Sequence, residues 1–156
     1  MAKRKVSPIR WLTRDQVEAA AYKSTRAALL CSIRHWEQLH QATPKQLTRA
    51  LNDCLVEVYS KGCALCHRFG ALAFNVTCQW GDEVCPVAVR YGRRCTPGSN
   101  GMWRYFAAKD ALDDWQDAPY TQTAAVVKAK FSLWQEESGR VLAGLKALLK
   151  TVKETL

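Results

Sequence analysis

Val127-Lys-Ala-Lys-Phe131-Ser-Leu-Trp134-Gln-Glu-Glu-Ser138-Gly-Arg-Val141-Leu-Ala-Gly-Leu145-Lys-Ala-Leu148 is the stretch that decides the fold class of this chain. Its apolar or small residues at 127, 131, 134, 138, 141, 145 and 148, continued by Val152, recur alternately by fours and threes. That spacing is the seam of a long helix and is incompatible with a strand, whose period is two. The helix is expected over about 122–154. Ser138, Gly139 and Gly144 interrupt the seam with small side chains, which favours close packing on another helix of the same chain. A homo-oligomer through the same seam is the alternative.

Upstream, a shorter helix over about 102–116 directs Tyr105, Ala108, Leu112 and Trp115 inward, and Pro119 ends it. Near the N-terminus, Thr13-Arg14-Asp15-Gln16 is a capping box, in which the Thr hydroxyl and Gln amide satisfy exposed groups of a first helical turn. The helix it opens runs to about residue 41, with Val17, Ala21, Leu29, Ile33 and Trp36 along one stripe. Thr43-Pro44 restarts the chain with an N-cap and a proline at the first helical position. Leu47, Leu51, Cys54, Leu55 and Val58 then form a buried face up to Gly62, a C-terminal stop. The expected architecture is mainly α, a helical bundle with two long helices and a small cysteine-rich zinc-binding insert. At 156 residues one domain is expected, with a basic arm (1–12), a helical hairpin (13–61), the cysteine-rich unit (62–101) and C-terminal helices (102–156).

The insert carries five cysteines, Cys63, Cys66, Cys78, Cys85 and Cys95. Zinc takes four soft or borderline ligands in a tetrahedron, and C-x-x-C places two thiolates on one tight turn. Four of these five thiols are therefore expected to hold a structural Zn²⁺. Seven cysteines in all, an odd number, suit a disulfide framework poorly. An iron–sulfur cluster could use the same thiolates, but no spacing signature favours it. Cys63-Ala-Leu-Cys66-His67 also matches the c-type haem attachment motif, with Met102 or a histidine as second axial ligand. Haem attachment normally follows export, and it would leave three neighbouring cysteines without a role. Cys31 and Cys54 read as ordinary buried thiols on helices. Within the insert, Phe74, Val76, Cys78 and Trp80 alternate, as do Val87, Val89 and Tyr91, with Gly81-Asp82 between them. That pattern predicts a short β-hairpin with Pro86 on an edge strand.

Taken with the helix before it, the cysteine pattern resembles a family of small bacteriophage and prophage proteins. The resemblance rests on Ile33-Arg34-His35-Trp36, Cys63-Ala-Leu-Cys66, Cys85-Pro86, and Gly92 followed by Cys95, and covers roughly residues 25–140. The family pattern is I-x-H-W, C-x-L-C, C-x-x-C-P and G-x-x-C. This chain departs from it with six residues instead of two between Cys78 and Cys85. The resemblance implies a phage origin and a metal-bound fold, and no reaction.

The net charge of +9 attracts anions such as phosphates. Between Val84 and Lys109 there is no acidic residue, while Arg90, Arg93, Arg94 and Arg104 alternate with Tyr91, Trp103, Tyr105 and Phe106. Guanidinium groups fork onto phosphate oxygens and aromatic faces stack on bases, so this mixture suits a nucleotide or nucleic acid. The candidate ligand-binding residues are Arg90, Tyr91, Arg93, Arg94, Trp103 and Arg104, with His35 and Trp36 if the first helix packs beside the cysteine unit. No serine elbow, P-loop or H-E-x-x-H occurs, and Asp110, Asp113 and Asp114 read as a solvated face. Zinc enclosed by four thiolates keeps no open position for water. The expected function is thus non-enzymatic, a phage protein that binds an anionic partner, sequestering a nucleotide signal or inhibiting a host defence component. The alternative is a zinc-containing nucleic-acid-binding regulator. The basic N-terminus precedes no apolar signal core, and no run of about 18 apolar residues occurs, so the expected location is the host cytoplasm.

Overall fold

The central helix forms as its spacing dictates. In the computed structural model, which describes residues 8–58, 63–69, 79–80, 83–91, 103–120 and 122–152, it spans Ala124–Leu149. It is the last of seven helices among the described residues: α1 (Arg14–Lys23), α2 (Thr25–Gln41), α3 (Pro44–Asn52), α4 (Ala64–Arg68), α5 (Pro86–Tyr91), α6 (Trp103–Asp117) and α7 (Ala124–Leu149). A two-residue strand pair, β1 (Gln79–Trp80) and β2 (Glu83–Val84), precedes α5. The protein is thus mainly helical, a bundle in which α7 packs against both α2 and α6. No described helix is long and apolar enough to cross a membrane.

The expected seam is the buried face of α7. Phe131, Trp134, Ser138, Val141, Leu145 and Leu148 are all buried, and Val127 and Val152 pack at its margins. Trp134 meets Trp36 of α2 with ring centroids 6.2 Å apart, and Phe131 meets Trp115 of α6 at 4.9 Å. The small residues serve close approach between helices of the same chain. His40 Nδ1 lies 3.1 Å from Ser138 Oγ, and a Cβ placed on Gly139 would come within 3.1 Å of His40 Cε1. Lys146 and Glu37 close the α2–α7 interface with an ion pair at 2.7 Å. On α6, Ala108, Leu112 and Trp115 face inward as expected, and Pro119 lies in the 3-10 turn Ala118–Tyr120 that ends it.

Three expected elements differ. The single helix from Thr13 to about residue 41 is two, because Ser24 is extended (φ −167°, ψ 164°) and caps α2 by accepting from the Ala27 amide at 3.0 Å. The reason lies in the stripe, where a continuous helix would need an apolar side chain at 24 or 25 and the chain supplies Ser24 and Thr25. The bend lets α1 bury Val17 and Ala21 while packing on both α2 and α4. Ser24→Ala is expected to lower unfolding free energy by about 1 kcal/mol, measured by urea denaturation, because the cap hydrogen bond is lost and the break remains.

The second difference is at α3, which starts at Pro44 behind the Thr43 capping box but stops at Asn52, well before Gly62. Cys54 adopts a left-handed conformation (φ 53°), with Leu55 N–H bonded to the Ala50 carbonyl at 2.8 Å and Cys54 N–H to that of Leu51 at 3.2 Å. That pair of bonds is a Schellman closure, which ends a helix even without glycine. Cys54 and Leu55 are therefore exposed instead of forming a buried face, whereas Val56 and Val58 pack into the core from an extended segment. Gly62 lies outside the described residues.

The third difference is the hairpin. β1 and β2 pair antiparallel with Gln79 opposite Val84 and Trp80 opposite Glu83, which leaves Gly81-Asp82 as the link. Residues 87–91, expected as its second strand, are instead helical in α5, with Pro86 at its start and Val89 N–H bonded to the Cys85 carbonyl at 3.0 Å. Proline fits a first helical turn, where no N–H is needed, better than it fits a strand. Phe74, Val76 and Cys78 lie outside the described residues. So do residues 1–7 of the basic arm. Ile9, Trp11 and Leu12, by contrast, pack on the core, and the Gln38 amide accepts from Leu12 N–H at 3.1 Å.

Candidate functional site

Cys63 and Cys66 open α4, a five-residue helix set against α1 and α2. Its apolar side chains Ala64, Leu65 and Phe69 are buried in the common core. Arg68 fastens it across the α1–α2 break, donating to Thr25 Oγ1 and to the Ala21 carbonyl, both at 2.9 Å. The Ala21 carbonyl is available because α1 ends two residues later, so the bend at Ser24 creates the acceptor that holds the thiol segment.

Ser32 of α2 is fully buried beneath the pair. Its Oγ accepts the Leu65 N–H at 3.3 Å and lies 3.5 Å from Cys63 Sγ. With an acceptor lone pair taken by the Leu65 amide, the hydroxyl proton is free to point at the sulfur. Cys63 is held at about 6, well below the ordinary thiol value of 9, chiefly by a hydrogen bond from the Cys66 thiol. Burial opposes this, and Ser32 and the amides of Cys66 and Leu65 add to it. Cys31, beside Ser32 in sequence, moves the other way. Burial and then the charge on Cys63 push its thiol up, with Arg34 countering. The Cys63–Cys66 pair therefore gives up a proton more readily than an isolated thiol. A stabilised thiolate beside a second thiol is chemically competent both to bind a soft metal and to attack a disulfide.

The expected residues fall into three sets. Of the five candidate zinc thiols, Cys63 and Cys66 come together, Cys85 is buried just before α5, and Cys78 and Cys95 lie outside the described residues. Among the described residues, no group of three or more His, Cys, Asp or Glu side chains gathers as a metal site. His67, the axial ligand of the haem motif, is half-buried on α4, and Met102 lies outside the described residues. Of the basic segment, Arg90 is exposed on α5. It borders a hollow of about 400 Å³ with Pro86, Val89, Leu148, Thr151 and Val152. Tyr91 closes α5, Trp103 and Arg104 open α6, and Arg93 and Arg94 lie outside the described residues.

His35 and Trp36 are both core residues. Trp36 packs on Trp134, and His35 hydrogen-bonds to the Glu57 backbone. Burial holds the imidazole near 4, against an ordinary 6.5, so it is neutral at physiological pH. Cys54, expected as a buried thiol, is exposed at the Schellman turn, and Cys31 is half-buried. Sequence reasoning missed Ser32. Its signal was a small polar residue on the apolar stripe formed by Ala28, Leu29, Ile33 and Trp36, where only a specific partner justifies a buried hydroxyl. No family model matches the chain, and no curated protein or solved structure does either.

Proposed function

We propose that this is a non-enzymatic protein that binds an anionic partner through the basic stretch from Arg90 to Arg104. The observation that carries the reading is the exposed Arg90 at the edge of the hollow lined by Pro86, Val89, Leu148 and Val152. A guanidinium over an apolar floor suits a ligand with a phosphate at one end and a ring at the other. The acid-free run from Val84 to Lys109 and the net charge of +9 support the same polarity of partner. In the phage setting that the sequence resemblance implies, the partner is a nucleotide signal sequestered by the protein, or a host defence component. A nucleic-acid-binding regulator is the second reading, favoured by the same arginines.

Salt separates them. Titrating a labelled nucleotide and a DNA duplex at 50 and 200 mM salt, a duplex reader with 6–10 phosphate contacts loses about three to five orders of magnitude in affinity. A nucleotide in a hollow, with few phosphates to neutralise, is expected to lose less than about tenfold. Arg90→Ala, Arg93→Ala and Arg94→Ala are each expected to weaken binding by about tenfold or more, the worth of one charge-assisted hydrogen bond. Unchanged affinity in all three would remove this surface from consideration.

A further inference from the structure

We infer that the hollow between α3 and the corner joining α6 to α7 is a further binding site, one that takes a small organic anion carrying a planar ring. It is separate from the hollow beside Arg90 and does not rest on that reading. Val127 lines the one and Leu148 the other. The run of α7 between them, at a rise of about 1.5 Å per residue, sets the two roughly 30 Å apart.

The site follows from the pattern of α3. Leu47 and Ala50 turn one face into the core, so Lys45, Thr48, Arg49 and Asn52, spaced three and four apart, share the opposite face. A polar helix face ordinarily meets water alone. Here it stands as a wall beside an apolar floor, made by Trp115 near the end of α6, Pro119 in the turn that follows and Val127 near the start of α7. The space enclosed is about 540 Å³. Small-molecule sites run from about 300 to 1,000 Å³. Trp115 is buried and packs on Phe131 at 4.9 Å, so the floor is formed before any ligand arrives.

Charge chooses the ligand. Lys45 and Arg49 line the hollow against one carboxylate, Asp53, so the wall is positive. Asp53 meets Arg49 through Nε at 3.3 Å, an exposed pair of the kind worth little. The terminal nitrogens of Arg49 have no hydrogen-bond partner among the described residues, nor has Lys45 an ion pair among them. A guanidinium fork beside an ammonium suits a carboxylate, sulfonate or phosphate group. The Thr48 hydroxyl and Asn52 amide on the same wall orient it, and the indole, proline and valine below favour a flat apolar body. Because α3 supplies the wall and the α6–α7 corner the floor, the ligand bridges them and stabilises the folded chain by mass action.

The test uses the full chain and anilinonaphthalene sulfonate, a sulfonate on a fused ring, as the probe. The wild type is expected to give a saturable rise in probe fluorescence at one probe per chain, with a Tm that climbs with probe concentration. In two-dimensional NMR of the wild type, the Trp115 indole and Val127 methyl signals are expected to move with the same saturation curve. Lys45→Glu and Arg49→Glu are each expected to weaken binding by about tenfold or more. Thr48→Trp, which fills the hollow from an exposed position, is expected to abolish it. Arg90→Ala is expected to change the affinity by less than about twofold, being far from the site. Three results overturn the inference: fluorescence that rises without saturating, an affinity untouched by Thr48→Trp, or a loss in Arg90→Ala as large as that in Lys45→Glu, which would put the probe in the other hollow. The wild-type spectra require no substitution, so signals of Trp115 and Val127 that stay in place reject the site even if a variant folds poorly.

Discussion

Trp134→Ala is expected to lower the free energy of unfolding by about 3–5 kcal/mol, the range for emptying a large buried aromatic site. Trp134 is fully buried at the point where α7 meets α2, with its ring against Trp36 at 6.2 Å. Its neighbours on the seam, Phe131 and Ser138, are held by α6 and His40, so the helices cannot slide together to fill the space. A cavity therefore persists, and its cost adds to the lost transfer energy. In a chain of this size each kcal/mol corresponds to about 2–4 °C in Tm, so the melting point should fall by roughly 6–20 °C. Trp134→Phe is the informative comparison. The indole Nε1 is buried without a hydrogen-bond partner among the described residues. Phenylalanine keeps most of the apolar contact and removes that unsatisfied donor, so its loss should be under about 2 kcal/mol. A loss below 1 kcal/mol for Trp134→Ala would show that the α2–α7 interface is not where the core is packed.

The second large effect is acid destabilisation through His35. Its folded-state value is pushed down to about 4 by burial, against 6.5 in an unfolded chain, with the Glu57 backbone bond pulling weakly the other way. As pH falls below 6.5 the unfolded chain takes up a proton that the folded protein refuses until about pH 4. The stability associated with neutral His35 is therefore complete above pH 6.5 and drains away between 6.5 and 4. At about 1.4 kcal/mol per pH unit, the full loss is about 3 kcal/mol. Comparing wild type with His35→Phe isolates it, because the carboxylates titrate alike in both. Their difference in unfolding free energy is expected to change by about 3 kcal/mol between pH 7 and pH 4 in favour of the variant. Parallel curves over that window would mean that the imidazole is already protonated or reaches solvent.

The resemblance of α7 to its reading and the divergence of α3 from its own have one explanation. The α7 seam is a repetition over many residues, and every turn votes for the same helix with the same buried face. The Thr13 and Thr43 capping boxes are equally local, since donor and acceptor lie three residues apart, and both are formed. The end of α3 turns on one residue, Cys54, taking a left-handed conformation that nothing in its side chain announces. Val87, Val89 and Tyr91 show the limit of a short pattern. Three alternating residues fit a strand, yet Pro86 starts a helix there and leaves Val89 exposed.

The thiol pair divides in the same way. Cys63-Ala-Leu-Cys66 was legible as a place where chemistry concentrates, because two thiols three residues apart must share a turn. What seats that turn was not legible. That depends on Ser32, 31 residues away in sequence, and on Arg68 reaching a carbonyl exposed only because α1 ends beside Ser24. His35 and Trp36 followed the same logic, since adjacent helical residues point about 100° apart and only the packing of α7 and the extended segment at Glu57 placed both inside. The sequence by itself determined that the protein is a helical bundle, where α6 and α7 lie, and that cysteines and arginines gather in its middle third. Tertiary structure alone decided how the thiol turn is seated, because Ser32 and the Ala21 carbonyl that hold it lie far from it along the chain.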